Sequence, residues 1–517
     1  MADTIQLRVD PRTAATPELL HNAVARELGI APADLPGVTV MKRSIDARQR
    51  RVMVNLTVAP SADVAGLDPK PINYAPVPEN APQVIVVGAG PAGLFASLAL
   101  IERGIRPVLL ERGKDVDSRR RDMARIAREN VIDPDSNYCF GEGGAGAYSD
   151  GKLYTRSKKR GPVEKILNIL HQHGADRDIL VDAHPHIGTD RLPGIIKAIR
   201  ETIIRCGGVV KFGEKVTSLI IDSDAAGNSN TVTGVRTATG NSYHGPVILA
   251  TGHSARDVYE FLDTQGLDLQ AKGLAVGVRL EHPQHLIDSI QYHSPQGRGK
   301  YLPAAEYTML TRVDGRAVYS FCMCPGGFII PASSAPGQLV VNGMSPSNRG
   351  TRWANSGMVV EVLPEDVPGD DPLRMIDFQK SIEQRFFDDG DGTQNAPAQR
   401  MADFVNGRDS ASLPQTSYAP GIHPARIDHL LPPGIATRLQ RGFADFGRKS
   451  RGFLTNDAVL IGCETRTSSP VRIPRDNETL QHVSISGLYP CGEGAGYAGG
   501  IVSAAIDGDR IASIISI

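Results

Sequence analysis

The sequence is poor in several features that would each narrow its function. Six cysteines (Cys139, Cys206, Cys322, Cys324, Cys463 and Cys491) in 517 residues make no disulfide framework, and no Cys-x-x-Cys or zinc spacing occurs among them. Reduced thiols and a cytoplasmic location are expected. A single Trp offers little for stacking bases. Charge of one sign is also lacking: 56 Lys plus Arg stand against 57 Asp plus Glu, which removes the broad attraction that nucleic acid or an anionic membrane would use. No stretch approaches the roughly 18 uninterrupted apolar residues of a membrane span. The opening Met-Ala-Asp-Thr-Ile-Gln has no basic region leading into an apolar core.

Glycine is abundant. The 54 glycines gather in blocks between apolar runs, as they do where backbone approaches a ligand closely. Residues 1–60 alternate like strands around one amphipathic helix, with Val52, Val54, Leu56 and Val58 on one face, and read as a small βαββ module. A proline-rich linker, residues 61–82, follows. Residues 83–266 then read as the first part of a Rossmann-type nucleotide-binding domain. Residues 267–451, with strand-like runs and few clear helices, read as an inserted mixed α+β substrate domain. Residues 452–517 return to the doubly wound pattern, so the fold class is α/β.

The sharpest motif is Gly88-Ala-Gly90-Pro-Ala92-Gly93, placed after the apolar run Gln83–Val87 and opening a helical segment. Gly88 permits a tight turn, Gly90 lets backbone N–H groups reach a pyrophosphate, and Gly93 lets helix pack on strand, while the helix N-terminus favours the anion. Glu111 closes the next strand, where a carboxylate accepts hydrogen bonds from ribose hydroxyls, and Arg112 follows it. Ala250-Thr251-Gly252 ends another buried run and resembles the second signature of flavoproteins with two dinucleotide-binding domains. Gly492-Glu493 and Gly500-Ile501 resemble the third. Such dispersion suits FAD, since an NAD-only dehydrogenase needs just the first. The glycine-dense stretch 137–153 suggests further cofactor contacts from Gly143, Gly144 and Ser149, and Val216 falls where such folds hold adenine through backbone.

Taken together, Phe140-Gly-Glu-Gly-Gly-Ala-Gly, Ser149-Asp-Gly-Lys-Leu, Phe321-Cys-Met-Cys-Pro-Gly-Gly327, Glu464-Thr-Arg-Thr-Ser-Ser-Pro-Val-Arg472 and Tyr489-Pro-Cys-Gly-Glu-Gly resemble the bacterial NAD(P)/FAD-dependent dehydrogenase family. The resemblance runs from about Val84 to the C-terminus and extends to the N-terminal module. It implies FAD and a flavin oxidoreductase fold without naming a substrate.

Three residues are candidates for catalysis. Lys152 either stabilises an anionic flavin or makes a structural ion pair. Arg466 stands in a polar loop before the last flavin segment, where its fork suits an anionic small-molecule substrate. His253, like His282, is either an acid–base group or structural. Cys322 and Cys324, at i and i+2, would share one face of a strand, as an electron relay or as pocket lining. The runs Arg119–Arg121 and 158–160 read as solvated faces. The expected activity is two-electron hydride transfer by FAD, with NAD(P)H as a transient donor or acceptor and no membrane partner. The alternatives are a flavoprotein of RNA modification, against which the neutral charge counts, and a non-catalytic flavin redox sensor.

Overall fold

The computed structural model describes residues 4–64, 66–155, 161–223 and 230–516. Five parallel strands form the nucleotide-binding sheet, in the order Leu488–Pro490, Val247–Leu249, Gln83–Val87, Arg106–Glu111 and Val209–Phe212. Val84, Ile85 and Val86 have no exposed surface, as an unbroken apolar run requires when both sheet faces are covered. Gly88 turns the chain at φ 103°, and Gly90 starts the helix Pro91–Glu102. A Cβ at Gly93 would stand 1.9 Å from the Gly88 carbonyl oxygen, and one at Gly508 would stand 2.1 Å from that of Ala92. Those two glycines let the first helix lie on its strand and the C-terminal helix Ile501–Ile514 lie on the first helix.

A second sheet of seven strands runs Leu310–Val313, Arg316–Cys324, Trp353–Val362, Leu274–Pro283, Val459–Glu464, Ala396–Arg400 and Ile422–Pro424, antiparallel except for the last pair. The strand Val459–Glu464, placed by sequence with the C-terminal nucleotide-binding part, lies inside this sheet. A buried apolar run satisfies either sheet, so its own residues could not assign it. The region also holds long helices, Arg374–Asp388 and Pro433–Lys449, where few were expected. A smaller antiparallel sheet, Val216–Ser223, Asn230–Thr237 and Ser242–His244, flanks the nucleotide sheet.

At the N-terminus, Met53–Ala59 pairs with both Ile5–Val9 and Thr39–Asp46, and Leu20, Val24 and Ala25 of helix Pro17–Leu28 bury against them. This unit docks through polar contacts: Arg43 pairs with Asp182 at 2.6 Å, and Arg177 donates to the Val40 carbonyl at 3.0 Å. Among the described residues, no helix is long and apolar enough to cross a membrane.

Candidate functional site

Between the C-terminal ends of the parallel strands and the seven-stranded sheet lies a cavity of about 370 Å³, a size in the usual range for small-molecule sites. Its walls include Gly88, Gly90, Ala92, Glu111, Arg112, Gly144, Ser149, Val216, Ala250, Thr251, Gly252, Glu493, Gly500 and Ile501. Lys152, His253 and Arg466 line it too. The structure therefore brings residues from every motif of the sequence to one wall system. Gly93, Gly143 and Gly492 stand behind it. Gly93 packs helix on strand, the Gly143 N–H donates to the Ala89 carbonyl at 2.8 Å, and the Gly492 N–H donates to Asp507 at 2.8 Å.

Whether FAD fits can be judged from the glycines. A Cβ built at Gly90 meets nothing nearer than Gly144 Cα at 3.9 Å, and at Gly252, Gly499 and Gly500 nothing among the described residues lies within 4 Å. These positions face open cavity, so they are not needed as glycine to pack the protein on itself; Gly252 alone also has a left-handed φ, of 75°. The cations in the walls, Arg112, Lys152, Lys215 and Arg466, are each paired with a carboxylate, so the groups open to a diphosphate are the backbone amides at the start of helix Pro91–Glu102. The cavity thus fits the elongated anionic cofactor that the motifs imply.

Glu111 is buried, and backbone N–H groups of Ala89 (2.8 Å), Gly113 (2.9 Å) and Gly141 (3.0 Å) donate to its carboxylate. It therefore fixes the first glycine turn to the second glycine loop as well as facing the cavity. Arg112 lies over the Phe140 ring at 4.4 Å and pairs with Asp135 and Asp257. Ser149 Oγ donates to the Gly146 carbonyl, bracing the loop from inside.

Arg119 departs from its expected solvated position: it is fully buried, whereas Arg120 and Arg121 are exposed. Its guanidinium donates to the carbonyls of Asn137 (2.7 Å), Tyr138 (2.9 Å) and Glu142 (2.8 Å), and so gathers the glycine loop around one cation. The second basic run, 158–160, lies outside the described residues.

Lys152 pairs with the buried Asp150 at 2.9 Å and donates to the Met323 carbonyl. Asp150 also holds Arg349 at 2.8 Å. The Asp150 charge raises the ammonium pKa above its ordinary value against the opposing effect of burial. His253 is pushed down to about 4 by burial and by the neighbouring Arg466, Lys272 and Arg256, so its ring is neutral at physiological pH. His282 stands away from the cavity, bonded to the Phe453 carbonyl at 2.8 Å.

The expectation for Arg466 requires correction. Its Nε and Nη2 each donate to Glu383 at 3.2 Å, and its remaining donors go to Ser334, Gln338 and Cys139. Glu383 supplies the counter-charge of this buried guanidinium, and with the other three partners it leaves no donor free to clamp a substrate. The same carboxylate holds Arg256 at 2.8 and 2.9 Å. Sequence reasoning missed this junction. Its signal was the spacing of Ile376, Gln379, Glu383 and Phe386, which puts Glu383 on the buried stripe of its helix.

Glu493 is pushed up to about 7, chiefly by burial, with the Lys272 charge opposing the shift and Cys322 adding to it. A carboxyl raised in the folded state stays neutral there while the unfolded chain ionises, so stability falls from about pH 4.5 to about pH 7. Glu493→Gln is therefore expected to raise the thermal midpoint of the FAD-free protein by a few degrees at pH 8 and hardly at all at pH 5. Scanning calorimetry at the two pH values checks it; an equal gain at both would mean that the charge is not the cause.

Residues 273–467 match the family described as FAD-dependent protein, C-terminal domain-like, residues 81–124 match an FAD binding domain, and residues 1–60 match a domain of unknown function. An uncharacterized protein of Clostridium beijerinckii is 39% identical over 96% of this chain and 95% of its own length. Among solved structures, FqzB is 14% identical with a TM-score of 0.35, covering 85% of this chain and 78% of that one. A geranylgeranyl bacteriochlorophyll reductase-like protein of Thermoplasma acidophilum is 12% identical with a TM-score of 0.34, covering 84% of this chain and 78% of its own.

Proposed function

The chain belongs to the family of FAD-dependent proteins that includes this clostridial relative, and from that premise we propose that it is an oxidoreductase passing a hydride between FAD and a small organic substrate. The observation that carries this reading is the cavity itself. One end is glycine-walled at the first βα turn, and the other reaches the seven-stranded sheet at Lys152 and Cys322, with His253 and Glu493 also in the wall. When bound, FAD supplies two-electron chemistry by taking up or giving a hydride.

The residues divide the work. Glu111, Arg112 and Val216 would hold the adenosine end, and the amides from Gly90 to Ala92, at the N-terminus of a helix, would face the diphosphate. Lys152, fixed by Asp150, keeps its positive charge at the far end, where an anionic group can be stabilised without reorganisation. His253, neutral, can donate or accept one hydrogen bond there. The buried Glu383–Arg466 pair braces the loop that lines this end.

Of the three Gly-x-Gly-x-x-Gly patterns, at 88–93, 141–146 and 494–499, only the first joins two neighbouring parallel strands through a helix, so a nicotinamide nucleotide would enter the substrate end transiently. Anaerobic mixing of the purified protein with NADH, NADPH and a pool of small metabolites tests the reading. Bleaching of the flavin absorbance by at least one of them is expected. A protein that holds FAD but stays oxidised through every addition, and that is not reoxidised by any acceptor after chemical reduction, would overturn it.

A further inference from the structure

The segment Cys322-Met323-Cys324 ends the strand Arg316–Cys324 at the cavity, and its backbone is not that of a strand. Pairing with Trp353–Val362 is regular as far as Phe321 opposite Gly357 and breaks before Cys324. Cys322 has φ 45°, the left-handed region that a residue with a Cβ rarely adopts. On a regular strand, residues i and i+2 sit about 6.6 Å apart with parallel side chains, too far for two sulfurs to bond, since a disulfide needs Cβ atoms about 3.8 Å apart. The bulge and the left-handed residue take this segment out of that strand geometry. The Cys324 thiol donates to the Cys322 carbonyl oxygen at 3.4 Å, folding the second cysteine back onto the first.

The surroundings hold this shape from both sides. Arg279, fully buried, donates to the Cys322 carbonyl at 2.8 Å and to Cys324 Sγ at 3.3 Å, while pairing with Glu464 at 3.1 Å. From the cavity side Lys152 donates to the carbonyl of Met323, the residue between the two thiols. Cys322 lines the cavity, whereas Cys324 is fully buried. A backbone turned against its preference, two cations and one accessible thiol over one buried thiol form more than a packing arrangement.

We propose that Cys322 and Cys324 are a redox-active dithiol facing the flavin end of the cavity, with Cys322 as the outward sulfur that exchanges with a small thiol or disulfide substrate. In the oxidative direction both S–H bonds break and one S–S bond forms. Two electrons pass to the bound FAD with one of the protons, and the other proton is released to water in the cavity. In the reverse direction the S–S bond of the pair takes up the two electrons. The acidity of the pair is divided in the sense this needs: the hydrogen bond from Cys324 and the charges of Lys152 and Arg279 hold Cys322 well below an ordinary thiol, while Cys324 lies well above one. A ring closed over so short a segment is strained, which favours a labile, exchanging disulfide over a structural one.

The proposal uses the flavin reading only for the electron partner, so two measurements separate them. First, the protein is reduced, freed of reductant and treated with one equivalent of diamide, with or without FAD bound. An intact-mass loss of about 2 Da, mapped to the peptide containing both cysteines, is expected in the wild type and absent in Cys322→Ser and Cys324→Ser. Second, the oxidised FAD-loaded protein is titrated anaerobically with dithionite. The wild type should consume about four electrons per flavin and each serine variant about two. No mass loss, or adducts on one sulfur alone, overturns the dithiol. A disulfide that forms while the wild type still takes up only about two electrons overturns its coupling to the flavin, and the proposal with it. Protein that binds no FAD would contradict the flavin reading, and the diamide result would still decide the dithiol. Should one serine variant not fold, the other supplies the control.

Discussion

Gly90→Val is expected to yield a folded, soluble protein that has lost FAD. Most glycines in this motif cannot separate cofactor from fold, because a side chain there strikes the protein itself. A Cβ at Gly88 would come within 2.4 Å of the Ala250 carbonyl oxygen in a left-handed backbone, and one at Gly93 within 1.9 Å of the Gly88 carbonyl oxygen. Gly90 is different: its φ is −76°, open to any residue, and its Cβ would meet nothing closer than 3.9 Å. The isopropyl group would fill the space that the proposed diphosphate needs beside the helix N-terminus. Affinity for FAD should fall at least about 100-fold, the equivalent of about 3 kcal/mol, with little change in thermal stability of the FAD-free form. Calorimetric titration with FAD and thermal melts of both apoproteins would measure the two quantities. Retained FAD affinity would place the diphosphate elsewhere in the cavity, whereas a fall in the apoprotein melting temperature would show that the helix start does not tolerate the side chain.

What the sequence made legible and what it hid follow from the physics of each element. Gln83–Val87 could be read because a strand covered on both faces must be apolar throughout, and the glycines around it mark where chain meets chain or ligand. Helix Pro433–Lys449 was obscured by Gly434, Gly442 and Gly447, which lower helix propensity. Gly442 is there for packing, since a Cβ would stand 2.6 Å from Val318 on the sheet beneath. Cys322 and Cys324 were visible as a pair, but not the bulge that breaks the strand pairing between Phe321 and Cys324, because that depends on the register with Trp353–Val362. Arg119 looked like its two exposed neighbours. Only the return of residues 137–142 shows that carbonyl oxygens, and not water, satisfy its guanidinium.

Glu383→Gln is expected to cost about 3–5 kcal/mol of stability at pH 7, the range for breaking a buried ion pair. Glu383 has no exposed surface and is held between Arg256, at the start of helix Arg256–Thr264, and Arg466, in the loop after Val459–Glu464. It thereby joins the nucleotide-binding part, the helix Arg374–Asp388 and the last strand-to-loop passage of the seven-stranded sheet. Glutamine keeps the shape but leaves two buried guanidinium groups without a counter-charge. The pH dependence identifies the cause. Despite burial, the two arginines hold the Glu383 carboxyl down to about 2, against about 4.5 in an unfolded chain. A depressed carboxylate contributes stability that is fully present above the unfolded pKa and is lost as pH falls through the folded one. The gap between wild type and Glu383→Gln should therefore be widest above about pH 5 and shrink steadily as the pH is taken from there toward 2. Urea unfolding at a series of pH values measures it. A gap that stays constant into acid would assign the loss to glutamine's geometry instead of the missing charge, and no gap at pH 7 would mean that the two arginines find other partners.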